Sequence, residues 1–311
     1  MDAPSTQNRP GRAVALKIAG VFLIMVMAAL IKAATQEVPP WQAVFFRSFF
    51  AIPIIAIWLV RQGNLREGLS TKNPKGHFWR GLIGSSAMAL TFSGLTLLPL
   101  PEVTAIGYAT PIFTVLFAAI FLGERIRMIR ISAVALGLVG VMVVMWPRLG
   151  TADLSDTATL GALMVLGASV LRALVQIHVR QLVQTEHTAA IVFWFSITAS
   201  TLSLFTIPLG WVWPSSMALG LLICAGLIGG VAQILITSSY RFGAAGMLAP
   251  FDYTSMIFAI LIGWVVFSEL PTAVMLMGSA LVIAGGALII WRERQLGLSR
   301  GKARHLVDPK G

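Results

Sequence analysis

The sequence predicts an all-α integral membrane protein of ten transmembrane helices, arranged as a five-plus-five inverted repeat. Three observations predict it. Of 311 residues, 57% are hydrophobic and 11% charged, with a mean hydropathy of +0.84. A soluble domain of this length cannot cover so much apolar surface, so lipid must be the solvent for most of the chain. The apolar residues also fall into ten runs, each long enough to cross ~30 Å of hydrocarbon as a helix. Finally, the second half of the chain repeats the first at a fixed offset.

The ten runs lie near 14–34, 39–60, 78–98, 102–122, 128–147, 158–181, 188–209, 216–239, 246–267 and 272–291. The first follows a polar tail, "MDAPSTQNRPGR", and outruns a signal h-region without a cleavage site, so a retained span is expected. Links such as "PLP" at 99–101 and "LP" at 270–271 suit tight antiparallel hairpins and leave no room for a globular insert. The boundaries near Trp41 and over 180–190 are the least marked.

Orientation follows from Lys and Arg. With the N-terminus inside, the 23 such residues sit in the inner tails and loops, with four exceptions. Arg148 is in an outer loop, and Lys32, Arg47 and Arg172 fall within spans. Lys32, close to a span end, is expected to snorkel to the interface. The expected layout is a cytoplasmic tail (1–13), a first five-helix repeat (14–147), a periplasmic linker (148–157), a second repeat (158–291) and a basic cytoplasmic tail (292–311). The expectation is a multi-pass protein of the bacterial inner membrane with both termini cytoplasmic. The net charge of +11 does not point to nucleic acid, because the charges lie in short breaks between spans rather than on one face.

An offset of 145 residues aligns 81–146 with 226–291 without a gap and gives 16 identities in 66 positions. "GLIG" at 81–84 meets "GLIG" at 226–229, Tyr108 meets Tyr253, Glu124 meets Glu269, and Trp146 meets Trp291. Coincident Leu or Ala is expected in any two membrane segments, whereas matched Tyr, Glu and Trp are not. The units lie five spans apart, so equivalent helices cross in opposite senses. That inverted arrangement is typical of secondary transporters, with a site near the midplane.

Together with the repeat, "LPLPEVTAIGYATPIFTVLFAAIFLGER" and the following "GLVGVMVV" resemble the EamA-type branch of the drug/metabolite transporter superfamily. The matching features of the fourth span are Glu102, Pro111 and Leu122-Gly123-Glu124. The second copy departs from the pattern, with "FSEL" in place of "LGER" and Met256 where Pro111 stood. The resemblance implies transport of a small molecule by alternating access. Amino acids and related carboxylate-bearing compounds come first; riboflavin, S-adenosylmethionine and cationic drugs are alternatives.

Polar groups at membrane depth are the candidate site, since each is costly unless paired or hydrated. Arg47 and Arg172 are candidates for holding a carboxylate by bidentate bonds, and Asp252 for a coupling or counter-charge role. An Arg–Asp pair that only locks helices is the alternative. Tyr108 and Tyr253, with Thr110 and Ser255 beside them, could grip an amphipathic solute or simply pack, and Gln233 could line the path. Pro111, Glu124 and Glu269 are expected to be gating or structural, with Glu124 ending its span at the inner face and Glu269 at the outer. Trp194 with its neighbours Phe193 and Phe195 is expected to face lipid, and the histidines to lie in loops or near span ends. No cofactor and no metal is expected, because Cys224 is alone and no His has a ligand partner at usable spacing. The expected partners are a small-molecule substrate and the bilayer. The recurring small residues "GLIGG", "GLVG" and "IAGG" mark a helix-packing or homodimer seam. An integral-membrane enzyme is the main competing class, but no G-x-S-x-G, H-E-x-x-H or intraspan acidic pair supports it. A passive scaffold does not account for charges at three depths.

Overall fold

A computed structural model describes residues 10–61, 63, 69–122, 128–149, 157–182, 185–186, 188–242 and 248–288. The apolar runs form helices almost where hydropathy puts them. These are α1 (Pro10–Ala34), α2 (Pro40–Arg61), α3 (Pro74–Leu97), α4 (Leu100–Gly107), α5 (Ala109–Leu122), α6 (Met128–Leu149), α7 (Thr157–Leu182), α8 (Thr188–Leu204), α9 (Ser216–Phe242), α10 (Thr254–Phe267) and α11 (Ala273–Leu288). Together α4 and α5 make one pass, as do a 3₁₀ turn (Ala249–Tyr253) and α10, giving ten passes among the described residues.

Both fourth passes break at the same repeat position. In the first copy the break falls at Tyr108, so that Pro111 sits in the opening turn of α5, where a missing N–H costs nothing. The second copy makes the same break between Tyr253 and Thr254 although Met256 replaces the proline. Ser268 takes a left-handed conformation (φ 56°) at the end of α10, and the N–H of Glu269 bonds the carbonyl of Gly263. Its counterpart Glu124 lies outside the described residues.

The helix pairing exchanges the repeats. The first helix of each copy packs on the third helix of the other, α1 on α9 and α7 on α3, while α2 and α8 face each other. Both first-to-third pairs are antiparallel. Gly20 abuts Ile236 while Met27 abuts Gly229, and Gly76 abuts Leu182 while Gly94 abuts Val165. Since α1 and α3 run in the same sense, α1 and α7 run in opposite senses. The "GLIG" match now has a physical reason: Gly81 and Gly84 seat Thr198 and Phe195 of α8, and Gly226 seats Phe46 and Phe50 of α2. In each copy the third helix needs small residues so that the partner repeat's second helix can approach.

The last helices of the two copies cross through mutual glycine contact. A Cβ on Gly140 would lie 2.7 Å from the carbonyl oxygen of Gly278, and one on Gly278 would lie 2.7 Å from that of Gly140. The "GLVG" surface is thus consumed inside the chain. Gly140→Leu is expected to wedge α6 from α11 and cost about 1–3 kcal/mol, read as a lower unfolding temperature in detergent. The outer surface carries Ile120, Trp146, Met217 and Val265, all exposed, as lipid contact requires.

Candidate functional site

A cavity of ≈ 380 Å³ lies between the repeats, walled by α1, α3, α4, α7 and α8 with Tyr108 and Ser255. Most of its wall is apolar, including Met25, Met88 and Phe92, and its charge comes from Arg80 and Arg172. Among the described residues no acidic side chain lines it. The Arg172 guanidinium lies beside the helix break, where a Cβ on Gly107 would sit 3.4 Å from its Nη2. That Nη2 donates to Ser169 Oγ at 3.1 Å, and Nε is buried with no partner. Ser169 in turn donates to the carbonyl of Ile106 at 3.4 Å, tying α7 to the end of α4. Arg172 thus lines the cavity with one nitrogen held by Ser169 and its Nε buried without a partner.

Tyr108 is buried, and its hydroxyl lies 2.7 Å from Ser255 Oγ and 3.3 Å from the Tyr253 carbonyl oxygen. The repeat-equivalent tyrosines meet edge to face, with centroids 5.1 Å apart. Only Tyr108 reaches the cavity; the Tyr253 hydroxyl fills the place a Cβ on Gly286 would take. The hydroxyl of Thr110 is buried without a partner and off the cavity wall. Arg47 and Gln233 line a second, smaller space of ≈ 30 Å³, which shares Arg80 and Phe195 with the first.

Arg80 is the residue sequence reasoning missed, being counted among loop cations. Asn73 accepts from the N–H of Gly76 and Pro74 occupies the first turn, so α3 starts a turn before the apolar run. That carries Arg80 inside the helix, its guanidinium 4.1 Å from the ring centroid of Phe195. Phe195 therefore faces protein, not lipid, and Trp194 donates its Nε1–H to the Leu69 carbonyl at 3.1 Å. His77, expected in a loop, is likewise a buried α3 residue, 3.5 Å from Glu186. Burial pushes the Glu186 carboxyl up, but bonds from the Lys72 N–H, the Thr71 hydroxyl, the Asn73 N–H and His77 outweigh it and hold it below the usual glutamate range. A depressed carboxyl stabilises above its unfolded value, and the contribution is lost as pH falls through the folded one. Thermal stability is expected to drop with pH in that acid window, and less so in Glu186→Gln.

Two ion pairs bind α1 to the fourth pass of the second repeat. Lys17 meets Asp252 at 2.7 Å, Lys17 being buried and Asp252 half exposed. Arg172 and Asp252 are therefore not partners. Lys32 does not snorkel; it is buried, 2.5 Å from Glu269 Oε1, and donates to the Leu98 carbonyl. Glu269 Oε2 accepts the N–H of Leu100, a cavity-lining residue, at 2.8 Å. This knot joins α1, the α3–α4 hairpin and α10 at one end of the cavity. Among the described residues no group of His, Cys, Asp and Glu could hold a metal ion.

The EamA-like transporter family matches residues 11–146 and 159–291, one stretch for each repeat. The chain belongs to that family. The pseudopaline exporter CntI of Pseudomonas aeruginosa (strain UCBPP-PA14) is 31% identical over 281 residues, covering 89% of this chain and 93% of that one. The S-adenosylmethionine uptake transporter of Rickettsia conorii is 26% identical, covering 82% and 84%. A riboflavin transporter of Rhizobium johnstonii is 25% identical, covering 94% and 96%. A crystal structure superposes with a TM-score of 0.65 at 21% identity, over 92% of this chain and 99% of that one, a likeness of fold. This EamA-like protein is thus a membrane-spanning transporter of a small molecule, built from two repeats.

Proposed function

We propose that this EamA-like transporter moves an amphipathic, carboxylate-bearing metabolite, an amino acid or a related compound, across the inner membrane by alternating access. The observation that carries the reading is the charge of the cavity: two arginines, unpaired donors and, among the described residues, no acidic side chain on the wall. A carboxylate on Arg172 gains charge-assisted bonds, and the apolar wall takes the rest of the solute. A cationic drug would meet like charge there, which counts against that alternative. The relatives that export pseudopaline, take up S-adenosylmethionine or transport riboflavin agree with a metabolite cargo and differ among themselves in which one.

In this reading both termini are cytoplasmic, and the Lys32–Glu269 knot closes the periplasmic end. Asp252, half exposed on its buried lysine, is the group open to proton coupling. A homodimer would use a surface other than the Gly140–Gly278 crossing, which is already occupied. Counterflow in proteoliposomes tests the proposal. Accumulation of a labelled carboxylate-bearing solute is expected; accumulation of carboxylate-free cations alone contradicts it.

A further inference from the structure

We propose a second anion site, distinct from Arg172, in the small space between Arg47 and Arg80, sized for one compact anionic group. It deepens the reading above by giving the cargo's route a second anchoring charge. The space is ≈ 30 Å³, room for about two water-sized groups. Arg47 comes from α2 and Arg80 from α3, and Ser196 and Gln233 complete the polar part of the wall. Nε of Arg47, and Nε and Nη1 of Arg80, are buried without a hydrogen-bond partner. Among the described residues the carboxylates that meet cations do so elsewhere, Asp252 with Lys17 and Glu269 with Lys32, while Glu186 lies beside His77.

Water could satisfy the donors but not the charge, and two half-buried guanidinium groups whose buried nitrogens lack partners are costly beside one space unless an anion compensates them. The guanidinium fork matches a carboxylate bidentately, and a halide can accept from the same N–H donors as a point charge. The wall is built for this rather than left over. Phe195 holds Arg80 from one side by its ring face, and Arg47 packs against Gly229, a Cβ there coming into ordinary contact with its Nε at 3.4 Å. Because Arg80 borders both spaces, a group bound between Arg47 and Arg80 adjoins the main cavity. The shared chemistry is therefore one anionic group, either a free halide or the second carboxylate of a dianionic cargo.

The test uses the purified full chain in detergent at constant ionic strength. Thermal unfolding is followed in chloride or bromide against gluconate, and in gluconate with a dicarboxylate against its monocarboxylate homologue. A halide increment that disappears in Arg47→Met and Arg80→Met but persists in Arg172→Met supports the site with a free anion. A dicarboxylate advantage that falls about tenfold in apparent affinity in Arg47→Met, the loss expected for one charge-assisted anchor, supports it with the cargo's own carboxylate. If the wild-type chain shows neither increment, or if both survive unchanged in Arg47→Met, the site is overturned. The wild-type comparison decides even where a variant fails to fold. Transport by way of Arg172 could stand or fall independently, since Arg172→Met is expected to retain the halide response.

Discussion

Arg172→Ala is expected to weaken binding of the carboxylate-bearing cargo by about thirtyfold or more while leaving the bundle folded. Removing one partner of a buried, hydrogen-bonded charge pair costs about 2–5 kcal/mol, and each ~1.4 kcal/mol is a factor of ten. Stability should not follow. Arg172 is a half-buried cation with one side-chain bond among the described residues, to Ser169, and a buried, unpartnered Nε. Its removal relieves a desolvated charge at the cost of some packing against Gly107. Loss of flux at unchanged or raised unfolding temperature is the expected pattern. Arg172→Lys keeps the charge but not the planar fork, and should recover only part of the binding. Equal loss of flux and of folded protein would instead make Arg172 a structural group.

Glu269→Gln is expected to open the Lys32 end of the cavity. Lys32 is buried with Glu269 as its ion partner, and the same carboxylate holds the N–H of Leu100. Neutralising one member of a buried pair leaves the other charge uncompensated, worth about 3–5 kcal/mol. That penalty falls on the arrangement in which α1, the α3–α4 hairpin and α10 are joined, so the population shifts toward arrangements where Lys32 is hydrated. The readout is thiol labelling at Thr104→Cys, a cavity-wall position. Cys224, the single native cysteine, is exposed and is replaced by Ser in the background. Labelling from the Lys32 side should rise in Glu269→Gln and fall back when Lys32→Met is added, because the pair is then removed together. No change in either variant would mean that the knot does not gate. Asp252→Asn is the contrasting case: its carboxylate is half exposed, and a screened pair there is worth less.

The architecture was legible because lipid imposes it. Hydropathy alone placed the ten passes, and the Tyr108–Tyr253 and "GLIG" matches carried the repeat. Their meaning appears only in three dimensions: the tyrosines touch each other, and the glycines seat the opposite repeat's second helix. Arg172 was readable as a costly charge near the middle of a span. Arg80 was not, because it stands at the first turn of the 78–98 run, where cations group with the loop, and only the Asn73-Pro74 start carries it a turn deeper into the helix. The Asn-Pro helix-start signature was the available signal. Lys17 and Lys32 were unreadable for another reason: their partners lie on a pass more than two hundred residues away, and spacing carries no trace of that pairing.

The central claim is that a carboxylate of the cargo sits on the arginine side of the cavity between the repeats. The most direct measurement is a thermal-shift comparison on the purified full chain, across amino acids, riboflavin, S-adenosylmethionine and nucleobases, each carboxylic acid paired with its methyl ester. Stabilisation by at least one acid is expected, lost on esterification and absent in Arg172→Ala. Equal stabilisation by acid and ester, or stabilisation by solutes without a carboxylate alone, would contradict it.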